Sequence, residues 1–126
     1  HFPEFVLNDA NGKEFDSKQI KGKKTLVTFW SLTCGFCTDM LDDLREWSKT
    51  KDAHEPDLLL LSSGDAKENI ELGLNSKIVL DEKREVSKKL AMEGTPSSIL
   101  VDENGKIVSQ VAVGATQIWA LLGKKK

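Results

Sequence analysis

The sequence predicts an α/β domain built on a mixed central sheet flanked by helices. Short apolar runs rich in β-branched and aromatic residues alternate with segments whose apolar residues recur at helical spacing. Two Asn-Gly dipeptides, Asn11-Gly12 and Asn104-Gly105, lie between apolar flanks, where glycine's tolerance of positive φ favours a hairpin turn. Strands alternating with helices imply a helix-covered sheet, and hairpins near both ends add antiparallel strands to it.

The elements follow in order. Residues 5–15 form a hairpin about Asn11-Gly12, and Asp16 or Ser17 caps a short helical turn that ends near Gly22. Residues 25–31 (Thr-Leu-Val-Thr-Phe-Trp-Ser) are apolar on both faces, as in a central parallel strand. A helix begins at or near Cys34, because Phe36, Met40, Leu41, Leu44 and Trp47 share one face and Asp39, Asp42 and Asp43 suit its first turns. Residues 58–63 are a second apolar strand closing at Gly64. Residues 65–72 are helical, with Asp65 and Glu68 at capping-box spacing. A strand over 77–80 and a helix over 82–92, with Val86, Leu90 and Met92 inward, come next. The Ser98–Val101 strand turns at Asn104-Gly105 into a partner over 107–113, and a last helix over 115–122 buries Ile118, Trp119, Leu121 and Leu122. Trp47 and Trp119 are core residues, and His54 is a surface loop residue.

The chain has 126 residues, 39% hydrophobic and 30% charged, the composition of one globular domain. The net charge of −2, from 18 basic and 20 acidic residues, disfavours a duplex-binding role, which needs a basic excess. Apolar runs reach about five residues, against the ~20 that span a bilayer. The chain opens on His1 and closes on Lys124-Lys125-Lys126. We therefore expect a single domain over 1–126, excised from a longer chain, with 123–126 a disordered tail and no nucleic-acid partner.

The only cysteines are Cys34 and Cys37, in Cys34-Gly35-Phe36-Cys37. A disulfide framework needs more of them, widely spaced, and a closed zinc site needs four ligands, which His1 and His54 do not complete. The remaining readings are a redox dithiol and two cysteines that merely lie near each other, and context decides between them.

That context is specific. A strand ending Phe29-Trp30-Ser31, then Cys34-Gly35-Phe36-Cys37 opening a helix, then Gly94-Thr95-Pro96 before a strand and an Asn-Gly hairpin, resembles thioredoxin. The extra helix and strand between about 65 and 81, the opening hairpin, and the run from Gly94 to Lys106 are similar to bacterial TlpA/ResA-type thiol–disulfide oxidoreductase domains. Thioredoxin-like domains associated with methylamine utilisation and other membrane redox proteins are similar too. The resemblance implies a thioredoxin-like fold with an N-terminal β-hairpin and a helix–strand insertion before a cis-proline loop. This sequence departs from the pattern at four places. Thr33 and Phe36 replace the tryptophan and proline of the thioredoxin motif. Thr28 stands where thioredoxin has a buried acid, and Met40 where some TlpA/ResA-type proteins carry a glutamate.

The implied activity is disulfide exchange with protein partners. Cys34, at a helix start, has its thiolate stabilised by unsatisfied N–H groups and the helix dipole, so it is the attacking thiol. Cys37, one turn further on, is the resolving thiol. The resemblance makes the Thr95–Pro96 bond cis, and Pro96, lacking an N–H, leaves the Thr95 backbone to pair with an extended substrate. Gly94, Thr95 and Pro96 are thus expected to bind substrate, together with Gly35, Phe36, Thr33 and Trp30 around the dithiol. Glu93 is a solvated loop acid. No cofactor and no metal are implied. The expected partners are protein thiols or disulfides and a redox partner, which a membrane would carry, acting on a monomeric soluble domain in an extracytoplasmic compartment.

Three other functions compete. A thiol-dependent peroxidase of the AhpC/TSA-like kind carries Pro-x-x-x-Thr-x-x-Cys, whereas Val27 and Ser31 hold those positions here. A copper-handling thioredoxin-fold protein would add a distant histidine ligand, which His1 and His54 do not fit. A non-catalytic binding module would not need both cysteines and Pro96.

Overall fold

A computed structural model describes residues 2–32, 35–74, 76–92 and 94–124, with the backbone alone at Phe36. Strands β1 (Val6–Asn8) and β2 (Glu14–Asp16) form a hairpin, followed by a 3-10 turn over Ser17–Ile20. Then come β3 (Thr25–Phe29), α1 (Gly35–Thr50), β4 (Asp57–Ser62), α2 (Ala66–Ile70), β5 (Lys77–Leu80), α3 (Glu85–Lys89), β6 (Ser97–Val101), β7 (Ala112–Val113) and α4 (Ala115–Leu121). The main sheet has the order β5-β4-β3-β6-β7. Strand β3 runs parallel to β4 and antiparallel to β6, and β4 runs parallel to β5. The mixed sheet expected from the alternation is the one observed.

Every residue of β3 is buried, as its two-sided apolar sequence requires. Its side chains alternate between two cores. Val27 and Phe29 join Leu59, Leu61, Ile99 and Val101 beneath the N-terminal segment and α3. Leu26 and Trp30 join Leu58 and Leu60 beneath α1, through Met40, Leu44 and Trp47, and α4, through Ile118 and Trp119. Trp47 and Trp119 meet edge-to-face with ring centroids 6.2 Å apart, which confirms both as core. On the α1 side of the sheet lies a buried polar pair. Thr28 of β3 and Ser98 of β6 are register partners, both 0% exposed, with their hydroxyl oxygens 2.8 Å apart.

Several boundaries differ from expectation, each for a local reason. The first hairpin turns through a five-residue loop, because the buried Asp9 carboxylate accepts from the Asn11 and Lys13 N–H groups. That loop also reaches the sheet, where Ala10 N–H donates to the Ile78 carbonyl on edge strand β5. Helix α3 starts only at Glu85: Arg84 takes a left-handed conformation, and the buried Asp81 carboxylate accepts from the Ser87 N–H and hydroxyl. The strand expected over 107–113 is broken after a single bridge at Ile107, because the Ser109 hydroxyl, not a backbone carbonyl, accepts the Leu100 N–H. Among the described residues, no helix is long and apolar enough to cross a membrane.

The chain end also departs from the expected tail. Gly123 N–H donates to the Ala120 carbonyl and Lys124 N–H to that of Trp119, so 123 and 124 close α4, while 125 and 126 lie outside the described residues. Lys124 Nζ lies 2.7 Å from Glu55 Oε1, and Trp47 Nε1 donates to Glu55 Oε2 at 3.0 Å. The bonds from Lys124, the Asp52 N–H and Trp47 hold the Glu55 carboxyl below the ordinary carboxylate range. One carboxylate thus ties the end of α4 to α1.

Two stability predictions follow from these polar contacts. Thr28→Val strands the buried Ser98 hydroxyl and is expected to cost about 1–3 kcal/mol in urea unfolding, with much of that loss recovered when Ser98→Ala is added. The lowered Glu55 value means that its stabilisation is fully present above the ordinary glutamate value of 4.5 and is lost as the pH falls through the lower folded value. The urea midpoint of Glu55→Gln should therefore lie below that of the unmodified chain at pH 7 and converge with it in acid. A gap that widens in acid would contradict this.

Candidate redox site

The site is built where β3 ends. Beyond Phe29, the Trp30 N–H still donates to the Leu61 carbonyl at 2.9 Å, so the chain stays beside β4 for one more residue. Ser31 is buried and Leu32 half-buried. Helix α1 then starts at Gly35, which is exposed. Cys37, in the first turn, is 1% exposed and belongs to the core that holds Trp30, Met40 and Leu44. Cys34 and Thr33 lie outside the described residues, as does the side chain of Phe36.

α1 has 16 residues and no acid in its first turn. Asp39, Asp42 and Asp43 follow in its second and third turns, and Asp42 pairs with Arg45 at 3.1 Å. The positive end of the helix is therefore not neutralised by its own first turn.

The second half of the site comes from β6. The Thr95–Pro96 peptide bond is cis, as the resemblance implied. Phe29 pairs with Ser97 at the end of the ladder, so the chain leaving β3 at Trp30 and the chain entering β6 at Pro96 lie at the same end of the sheet. Antiparallel pairing of β3 with β6 thus delivers the Gly94–Pro96 loop to the end of the sheet at which the dithiol motif follows. Gly94 is exposed, Thr95 half-buried and Pro96 buried. Any contact of Pro96 with Cys34, and the place of Glu93, fall outside the described residues.

One expected substrate contact is corrected. Trp30 is 1% exposed and packs among core residues, because strand alternation turns it inward under α1. It supports the site from below and offers no surface to a partner. The positions that carry acids in the related families hold Thr28, bonded to Ser98, and Met40, 2% exposed, so neither supplies a carboxylate.

Sequence reasoning missed two supports. Val113 pairs with Ser97, Gly114 N–H donates to the Pro96 carbonyl at 2.8 Å, and a Cβ on Gly94 would lie 3.4 Å from Val113 Cγ1. The short strand β7 therefore backs the proline loop, a relation visible only once strands are paired. The loop after β4 likewise packs on Leu32, where Gly64 lies against its Cδ1. A cavity of about 480 Å³ lies elsewhere, at the opposite end of the sheet where β3, β4 and β5 begin, and includes Lys23, Lys51, Asp57 and Lys77 in its wall. Its lysines are engaged by Asp57 and Asp9. Among the described residues, no three His, Cys, Asp or Glu side chains are grouped to hold a metal ion.

The chain is similar to known proteins in sequence and in fold. The chain is 28% identical over 110 residues to the thiol-disulfide oxidoreductase ResA of Geobacillus thermodenitrificans, covering 83% of this chain and 63% of that protein. It is 27% identical over 120 residues to ResA of Bacillus subtilis, covering 91% of this chain and 67% of the relative. The chain thus spans about two-thirds of the length of these relatives. Among solved structures, the exposed lipoprotein thioredoxin of Streptococcus pneumoniae superposes with a TM-score of 0.77 at 24% identity, covering 96% of each chain. StoA of Bacillus subtilis does so with a TM-score of 0.75 at 21% identity, covering 98% of this chain and 96% of that one. The fold is therefore thioredoxin-like, with the N-terminal hairpin and the inserted α2–β5 unit in the places expected. A sequence model of the AhpC/TSA family matches residues 1–110, and the chain belongs to that family.

Proposed function

We propose that this chain is a thiol–disulfide oxidoreductase that exchanges disulfides with protein partners through Cys34 and Cys37. The observation that carries the reading is the burial of Cys37, 1% exposed inside the first turn of α1, at the end of the sheet that also receives the Thr95–Pro96 loop. A buried thiol cannot meet a bulky partner disulfide, which leaves first attack to Cys34. The similarity to ResA proteins supports the same reading.

The chemistry then balances in two exchanges. The Cys34 thiolate attacks one sulfur of a partner disulfide, that S–S bond breaks, and the departing partner sulfur takes up a proton from solvent. Cys37 gives up its proton and attacks Cys34 Sγ in the mixed disulfide, which expels the second partner thiolate. The partner gains two electrons and two protons, and the dithiol becomes a disulfide. Run backwards, the same steps oxidise a partner. With Thr28 and Met40 at the positions of the related acids, the Cys37 proton passes to water or to a partner group. Gly35, Phe36, Thr33, Gly94 and Thr95 form the contact surface in this reading, with the buried Pro96 beneath it and an extended partner segment lying along the Thr95 backbone.

The peroxidase alternative is disfavoured by Val27, 0% exposed within β3 where that pattern has proline. The proposed setting is extracytoplasmic, where disulfides persist, with the domain acting as a monomer toward a redox partner at the membrane. The description of the pneumococcal structure as an exposed lipoprotein supports that setting.

Cys34→Ser is expected to abolish reduction of insulin disulfides, whereas Cys37→Ser should still be attacked and accumulate mixed disulfides, counted by mass spectrometry without reductant. Equal trapping by both variants would reverse the assignment of roles. In Cys37→Ser, the ultraviolet thiolate absorbance of Cys34 should appear below the pH range of an ordinary thiol, because the helix start favours the charged form. A transition above that range would show that α1 does not activate it.

A further inference from the structure

We propose that Asn69 is a positioning residue for the dithiol, acting through the Ser62–Asp65 loop and Leu32. The inference rests on the exchange function proposed above.

Asn69 lies in α2, a helix of five residues, yet it is 0% exposed. A buried amide is tolerated when its hydrogen bonds are made. Its Oδ1 accepts from the Ser62 hydroxyl at 2.6 Å, and its Nδ2 donates to the carbonyls of Ser63 at 3.1 Å and Asp65 at 2.9 Å. One side chain thus fastens three of the four residues that lead from β4 into α2. The fourth, Gly64, has φ +90°, and a Cβ built there would lie 3.2 Å from Leu32 Cδ1. There is thus no room for a side chain between them, which places Leu32 beside the loop that Asn69 holds.

Leu32 is two residues before Cys34. Only Thr33 and Cys34 join it to Gly35, where α1 begins. The far anchor is fixed by the helix, and on the near side Trp30 is fixed by its bond to the Leu61 carbonyl. Thr33 and Cys34 are thus all the sequence that separates two described positions, Leu32 and the start of α1. In this proposal a shift of Leu32 is passed along two residues of chain to Cys34. Both the stability of the Cys34 thiolate and the balance between dithiol and disulfide depend on the placement of that residue.

The test is the equilibrium constant of the Cys34–Cys37 couple against reduced and oxidised glutathione, measured in Asn69→Ala, Asn69→Asp and Gly64→Ala beside the unmodified chain. Asn69→Asp keeps the acceptor for Ser62 and loses both donors. Gly64→Ala leaves Asn69 in place, strains the loop backbone at φ +90° and sets a Cβ against Leu32 Cδ1. Ile20→Val, a core change under the N-terminal segment, serves as a control for lost stability. We expect the constant to shift at least about threefold in the Asn69 variants and in Gly64→Ala, the size of coupling carried through packed neighbours, and to stay unchanged in Ile20→Val. Should Asn69→Ala fail to fold, Asn69→Asp decides. Variants that fold with lower stability but an unchanged constant would reduce Asn69 to a structural residue and overturn the inference. An unmodified chain that forms no reversible Cys34–Cys37 couple would instead overturn the exchange function itself.

Discussion

The burial of β3 on both faces and both edges is the constraint on which the rest of the structure depends. A strand of Thr25-Leu26-Val27-Thr28-Phe29 in a central place requires a partner on each side and a helical layer on each face. Slipping its register by one residue would exchange Leu26 with Val27 between the two cores, so the pairing is strongly fixed. Because the register is fixed, the two chain segments that follow its end are fixed too. One leads into α1 and the cysteine motif, and the other is the Thr95–Pro96 loop arriving antiparallel on β6. Two stretches some sixty residues apart in sequence are brought to the same end of the sheet because one strand cannot tolerate solvent.

Much of this was legible in the sequence, for reasons that differ by element. The β5 strand over 77–80 and the turn at Asn104-Gly105 were readable because apolar runs and turn residues act locally. Trp47 and Trp119 were readable as core because each falls on the apolar stripe of its helix. The losses came from side chains that replace backbone partners. Asp9 widens the first hairpin, Asp81 holds α3 to five residues, and Ser109 interrupts the last hairpin. Each is a polar residue whose role depends on being buried beside a particular N–H, which no periodicity reveals. Lys124 was misread for a related reason: a terminal lysine reads as solvated until its partner Glu55 is brought near by the fold.

The candidate site shows the same division. The cysteine motif and Gly94-Thr95-Pro96 announce themselves as motifs. Trp30 does not announce its direction, and strand alternation sends it into the core. The supports were silent: Val113 and Gly114 behind the proline loop, and Asn69 with Gly64 behind Leu32. They carry no chemistry of their own, and their spacing in sequence is unrelated to the cysteines. They matter because attack at sulfur requires alignment, and a short segment before a helix is aligned only by what it rests on.

The most direct test is the stoichiometry of oxidation in the intact chain. Equilibrated across a series of glutathione redox buffers and then alkylated, Cys34 and Cys37 should lose and regain reactivity together, in one two-electron transition without bound glutathione at its end. Independent transitions of the two thiols, or glutathione remaining on Cys34 with Cys37 still reduced, would contradict a working dithiol.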